Sequence, residues 1–231
     1  MSSTETTILV VDDEPVLREV LTACFLDTPS TVVLTAVDGV DALDMLNTNT
    51  VDLVITDIRM PRMDGVALVR ALASRPTSPR IVLLTADGLI DERELFALGV
   101  EALVKKPLKE MDFAGLVTRA KMELQKTWET PPSRTARQAL SPKGRATAED
   151  VSLGRGGFCV RYVGTLATGN VSFDCRLPDN TLLKGAGTVR WRNNAERLTG
   201  IEFTYLDPCC REHVIAEIDR TQPRSFIPAT V

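Results

Sequence analysis

The stretch Asp52–Gly65, DLVITDIRMPRMDG, runs from an apolar segment into an acid and then into a turn marked by Pro61 and Gly65. Leu53, Val54 and Ile55 are consecutive apolar residues, as in a strand buried on both faces. Asp57 closes the segment. A carboxylate at the mouth of a buried strand is costly unless something pairs with it.

Outward from this stretch, short apolar strands alternate with helical spacing. TILVV (Thr7–Val11) precedes a helix over Val16–Leu26, and TVVLTAV (Thr31–Val37) precedes one over Gly39–Asn47. A helix over Gly65–Ser74 follows the turn. Next come the strand RIVLLTA (Arg80–Ala86), a helix over Leu89–Leu98, the strand EALVKK (Glu101–Lys106) and a long helix over Lys109–Glu129. Five strands alternating with five helices predict an α/β fold with a doubly wound, five-stranded parallel sheet of flavodoxin-like type.

Ligands of such sheets sit beyond the carboxyl ends of the strands. Asp12 and Asp13 follow the first strand, Asp57 the third, Thr85 the fourth, and Lys106 closes the fifth. Taken singly, each is an ordinary cap or turn residue. Together they form one rim. Three carboxylates there repel one another unless a cation joins them, and a hard cation with oxygen ligands, above all Mg²⁺, suits them. A lysine and a hydroxyl alongside can meet the oxygens of a phosphoryl group. Asp57 is then a candidate nucleophile that becomes an aspartyl phosphate.

The pieces VVDDEP, TDIRMPRMDG, LLTA and VKKP, in this order, resemble the receiver domain of two-component response regulators over residues 7–127. The resemblance implies phosphoryl transfer to Asp57 from a histidine kinase or phosphotransfer protein. It implies Mg²⁺ held by Asp13, Asp57 and the backbone carbonyl of Arg59, with Asp12 acting through water. It gives Thr85 and Lys106 contacts to the phosphoryl group, leaves Lys105 a bystander, and makes the Lys106–Pro107 peptide cis. The family usually carries an aromatic switch residue three positions before the rim lysine; this chain has Leu103.

Global properties bound the rest. At 231 residues, with 44% hydrophobic and 25% charged residues, the chain fits a globular protein of two domains. No apolar run approaches a membrane span, and MSSTETT is not a signal peptide, so no membrane insertion is expected. Five cysteines without CxxC spacing suggest reduced thiols and a cytoplasmic location. Cys209, Cys210 and His213 lack a fourth ligand, so packing or surface roles are the better account of them. Residues 1–130 hold 13 basic and 21 acidic groups, a net of −8; residues 131–231 hold 14 and 10, a net of +4, with 12 of the 14 arginine. Arginine favours bidentate recognition of phosphate or guanine edges.

The second half belongs to another class. Domain limits read as a receiver over 1–127, a Pro-, Ser-, Thr- and Arg-rich linker over 128–149, a β-domain with a closing helix over 150–222, and a tail over 223–231. Alternation at Val171, Phe173, Cys175 and Leu177, with PDN as a turn, suggests half-buried strands. Several such strands suggest a small antiparallel β-barrel. A helix opens at Asp207–Pro208 and carries Val214, Ile215 and Ile218 on one face.

The segments DVSLGRGGF, GTVRWRN and GIEF, ahead of the closing helix, resemble a PilZ domain over residues 134–220. The resemblance implies cyclic di-GMP as ligand, clasped by an Arg-x-x-x-Arg segment and an Asp/Asn-x-Ser-x-x-Gly motif. Here Arg134 and Arg137 are spaced Arg-x-x-Arg. Asp150 and Ser152 hold the first motif positions, and Arg155 stands where the family has glycine. Two functions follow: a phosphorylation-controlled regulator whose PilZ-like output binds cyclic di-GMP, or a phosphorylation-controlled adaptor whose PilZ-like domain contacts a downstream protein without nucleotide. The lack of a helix-turn-helix pattern and a net of only +4 argue against DNA as partner. No independent enzyme is expected, because the rim chemistry acts on the chain's own Asp57.

Overall fold

The computed structural model describes residues 5–75, 77–86, 91–132, 138–140, 151–162, 166–177 and 179–231. The chain divides into two compact units, 1–90 with 98–122, and 91–97 with 123–231.

In the first half, strands β1 (Thr6–Val11), β2 (Thr31–Ala36), β3 (Leu53–Asp57), β4 (Arg80–Thr85) and β5 (Val100–Lys105) alternate with helices α1 (Pro15–Leu26), α2 (Gly39–Thr48), α3 (Gly65–Ala73), α4 (Glu92–Ala97) and α5 (Glu110–Lys121). The sheet order is β2-β1-β3-β4-β5, with every pairing parallel. Ile8, Val10, Ile55, Val82 and Leu84 form one core cluster with Leu21 and Phe25 of α1 and Leu116 of α5. Their strand neighbours Leu9, Val54 and Leu83, which alternation sends to the other face, are equally inaccessible. Burial on both faces explains why these strands read as unbroken apolar runs. The helix α4 groups with the second unit.

The last helix of this half is shorter than the sequence expectation. The expected helix over Lys109–Glu129 is α5 ending at Lys121, followed by a 3₁₀ turn over Leu124–Trp128. Arg80 donates from its guanidinium to the carbonyl oxygens of Ala120 and Met122, each at 2.9 Å, and so satisfies the open end of α5. Trp128 is fully buried in the core of the second unit.

That unit holds β6 (Gln138–Leu140), β7 (Val151–Leu153), β8 (Gly157–Arg161), β9 (Gly169–Arg176), β10 (Leu182–Asn193), β11 (Leu198–Leu206) and α6 (Pro208–Thr221). Six strands form one sheet in the order β6-β9-β10-β11-β8-β7. It is mixed: β6 lies parallel to β9, and the other pairings are antiparallel. The sequence expectation is a small antiparallel β-barrel; the strands observed are one mixed sheet, and β6 lies within the stretch expected to be linker. Val171, Phe173, Cys175 and Leu177 are all buried, as their alternation requires. Phe158, Phe173 and Phe203 meet with ring centroids 5.0–5.8 Å apart. Asp207 caps α6 by accepting from Cys209 N, and α6 turns Cys210, Val214 and Ile218 to the sheet. Beyond α6, the stretch read as a tail is packed: Phe226 and Ile227 are fully buried.

Candidate functional site

The strand order places the end of β1 beside the end of β3, with β4 and β5 following. Asp12 therefore stands next to Asp57 in space although 45 residues separate them in sequence. The Asp12 side chain is 0% exposed and that of Asp57 9%. Lys106 reaches in from the end of β5, and its Nζ lies 2.7 Å from Asp57 Oδ1 and 3.0 Å from Asp12 Oδ2. The other oxygens are engaged by backbone donors: Glu14 N to Asp12 Oδ1 at 2.9 Å, and Arg59 N to Asp57 Oδ2 at 3.0 Å.

Burial works against the Lys106 ammonium. The hydrogen bonds to Asp57 and Asp12, with their charges, outweigh it and hold the Lys106 pKa above the ordinary lysine value. Thr85 closes β4 and is buried, and its carbonyl accepts Lys106 N at 2.7 Å. The Lys106–Pro107 peptide is cis. Lys105 is exposed and Leu103 half-buried.

The β3–α3 loop makes a tight return. Gly65 N donates to Ile58 O at 2.9 Å, and a Cβ on Gly65 would collide with Asp57 O. Only glycine fits this approach. Asp64 then caps α3 by accepting from Ala67 N. Sequence reasoning missed a second pair at this loop, Asp38 and Arg62. Arg62 Nε lies 2.5 Å from Asp38 Oδ2. Burial pushes the Asp38 carboxyl up, but hydrogen bonds from Asp41 N, Arg62 and Val40 N and the Arg62 charge leave it below its ordinary value. The cap role of Asp38 is legible in DG before a helical stretch; no periodicity announces the partner at Arg62.

For a metal, the donor set is all oxygen. Two buried carboxylates share one ammonium, and Asp13, next in sequence, is exposed at the same strand end. The excess negative charge and hard donors fit a divalent cation such as Mg²⁺. Among the described residues, no group of three or more His, Cys, Asp and Glu side chains is already arranged as a metal cage.

Of the residues expected to bind nucleotide, Arg134, Arg137 and Asp150 lie outside the described residues. Ser152 is half-buried on β7, opposite Cys159. The turn after it is covered: Arg155 N donates to Ser225 O at 2.9 Å, and Gly156 N to Phe226 O at 3.0 Å. A Cβ on Gly156 would fall within the Phe226 ring. The glycines beside Arg155 thus admit the chain's own tail. Cys209 and His213 are exposed, whereas Cys210 is buried with its thiol donating to Lys184 O and Asp207 O. Among the described residues no helix is long and apolar enough to cross a membrane.

Residues 8–118 match the family model for the response regulator receiver domain. Over 106 residues the chain is 41% identical to Regulator of RpoS of Escherichia coli, a match covering 46% of this chain and 31% of that protein. It is 31% identical over 143 residues to Response regulator GtcR of Aneurinibacillus migulanus, covering 61% and 57%. It is 36% identical over 108 residues to Sensor histidine kinase RcsC of Salmonella typhimurium, covering 46% and 11%. The chain thus spans less than two thirds of each of these relatives. Its N-terminal part is a response regulator receiver domain.

Proposed function

We propose that this protein is a response regulator phosphorylated on Asp57 by a histidine kinase or phosphotransfer protein, with the second unit as its output module. The supporting observation is the buried Asp12–Lys106–Asp57 arrangement at the rim of a receiver domain. An Asp57 carboxylate oxygen attacks phosphorus, an O–P bond forms, the P–N bond of the donor phosphohistidine breaks, and the imidazole leaves with a proton from solvent. Lys106 shifts from Asp57 Oδ1 to the phosphoryl oxygens, and the Thr85 hydroxyl donates to another. Asp13, Asp57 and the Arg59 carbonyl, with Asp12 nearby, would hold Mg²⁺, which would supply charge neutralisation during transfer. The reaction modifies the chain's own residue, so the protein acts as a switch and not as an independent enzyme. Five free cysteines support a cytoplasmic location. The test is Mg²⁺-dependent labelling by a small phosphodonor such as acetyl phosphate. It should be lost in Asp57→Asn, whose amide is a poor nucleophile toward phosphorus, and undiminished labelling of that variant overturns the assignment.

For the output module we infer a PilZ-like domain, supported by the six-stranded sheet with its closing helix and by the motif residues around Ser152. Cyclic di-GMP is its ligand in this reading, held by Arg134, Arg137, Asp150 and Ser152. One observation favours the alternative, an adaptor that contacts a downstream protein without nucleotide: the tail covers the turn at Gly154–Gly156. Calorimetric titration of the full chain with cyclic di-GMP separates the two. Saturable heat supports the sensor, and no heat at high micromolar nucleotide from folded protein supports the adaptor.

A further inference from the structure

Asp38 and Arg62 take no part in the phosphoryl chemistry above, yet they fasten the loop that carries Arg59. Asp38 follows β2 and is 1% exposed. One of its oxygens caps α2 by accepting from Val40 N at 2.9 Å and Asp41 N at 3.1 Å; the other receives Arg62 Nε at 2.5 Å. Arg62 adopts φ 57°, the left-handed region that residues with a Cβ rarely enter. Beside it, Met63 O accepts Gly39 N at 3.1 Å, and a Cβ on Gly39 would meet Met63 Cγ at 2.5 Å and Met63 O at 2.9 Å. At the other end of the loop, Ile58 N donates to Leu84 O at 3.2 Å. The segment between Asp57 and Gly65 is thus tied to β4 at its start and to the first turn of α2 near its end. The Arg62 side chain is 56% exposed and that of Asp38 2%. An exposed ion pair contributes little to stability, but a buried carboxylate that loses its partner must find another or shift.

We propose that Arg62 is a positioning residue for the phosphoryl site: by engaging Asp38 it holds the loop that presents the Arg59 backbone carbonyl and the Asp57 carboxylate to a divalent cation. The inference rests on the receiver chemistry proposed above. It assigns Arg62 a role through the metal-binding loop, where a residue supporting a ligand typically changes metal affinity by about 10–100-fold.

The full chain, stripped of metal, is titrated with Mg²⁺ by calorimetry as wild type, Arg62→Ala and Arg62→Lys. Amide hydrogen exchange at Gly39 and Gly65 is followed without metal, and thermal midpoints are recorded. In Arg62→Ala the Mg²⁺ dissociation constant is expected to rise roughly tenfold, with faster exchange at Gly39 and Gly65. Labelling by acetyl phosphate should fall at limiting Mg²⁺ and recover to within about twofold at saturation, since affinity is what the loop sets. Arg62→Lys, which keeps a cation for Asp38, should restore most of the affinity. A lowered thermal midpoint with an unchanged Mg²⁺ dissociation constant would mean a merely structural pair and overturns the proposal alone. A wild type with no Mg²⁺ affinity overturns the phosphoryl-site reading and this inference with it.

Discussion

At Lys106 one ammonium answers two buried carboxylates, so its energetics and its chemistry share a cause. Without it, the donors to the Asp12 and Asp57 side chains among the described residues are the backbone amides of Glu14 and Arg59. The sign of its pH dependence follows from the raised pKa. A group held above its unfolded value contributes fully below that value, about 10.4 for lysine, and loses the contribution as pH rises through the higher folded value. Wild-type stability, measured by urea unfolding in metal-free buffer, is therefore expected to fall more steeply above about pH 10.4 than that of Lys106→Met, which carries no titrating ammonium there. Parallel profiles for the two proteins would show that Lys106 is not held by the carboxylates in solution. Leu103 is half-buried on β5 in register with Leu83. An aliphatic side chain has no hydroxyl or ring edge to report events at Thr85, so a readout through position 103 would have to travel by packing.

At the scale of the element, two glycines make opposite cases. Gly115 is exposed in α5, and a Cβ built there meets nothing within 4 Å. Gly115→Ala should stabilise the protein by about 0.5–1 kcal/mol, because it removes backbone freedom from the unfolded chain without adding a clash. Gly156 follows the turn from β7, where the Phe226 ring occupies the space a side chain would need. Gly156→Ala should cost about 1–3 kcal/mol as an overpacked contact and should expose the tail to proteolysis near Phe226. Urea midpoints of both variants, with timed proteolysis of the second, check the pair. A Gly156→Ala protein with a protected tail and wild-type stability would remove the case for tight docking. The same logic accounts for α5 itself. Its apolar spacing continues past Lys121, but Arg80 takes its last carbonyls and Trp128 belongs to another core.

Among the described residues, the hydrophobic cluster on one face of the parallel sheet and the cluster of the mixed sheet have no shared members. Each encloses its own aromatic or aliphatic centre, so each has the means to melt by itself. A ligand that binds one native unit stabilises that unit by mass action, by about 2.7 kcal/mol at a hundred times its dissociation constant. Scanning calorimetry of the full chain is therefore expected to resolve two transitions, with Mg²⁺ raising one and leaving the other in place. A single transition that Mg²⁺ moves as a whole would show that the cores unfold together. The charge division has the same two-part form, with a net of −8 over residues 1–130 and +4 over residues 131–231. The acidic share includes the rim carboxylates Asp12, Asp13 and Asp57, and the arginine-rich share is what an anionic ligand or an acidic protein face would meet.

The sequence alone determines the strands of the parallel sheet and the rim. Chain alternation sets the direction of each strand, so Asp12, Asp57, Thr85 and Lys106 fall at carboxyl ends whatever the strand order. The buried line from Val171 to Leu177 is legible for the same reason: a period of two needs no partner to be read. Tertiary structure alone decides which ends adjoin, and hence that Lys106 spans Asp12 and Asp57. It decides that three residues of the expected linker, Gln138–Leu140, become an edge strand beside β9, since a segment so short has no period to show. It decides the Arg62–Asp38 tie and the burial of Phe226 and Ile227, because an exposed arginine and an irregular tail acquire their partners only from residues distant in sequence. Local pattern records what a segment must bury; the identity of what covers it is a property of the folded chain.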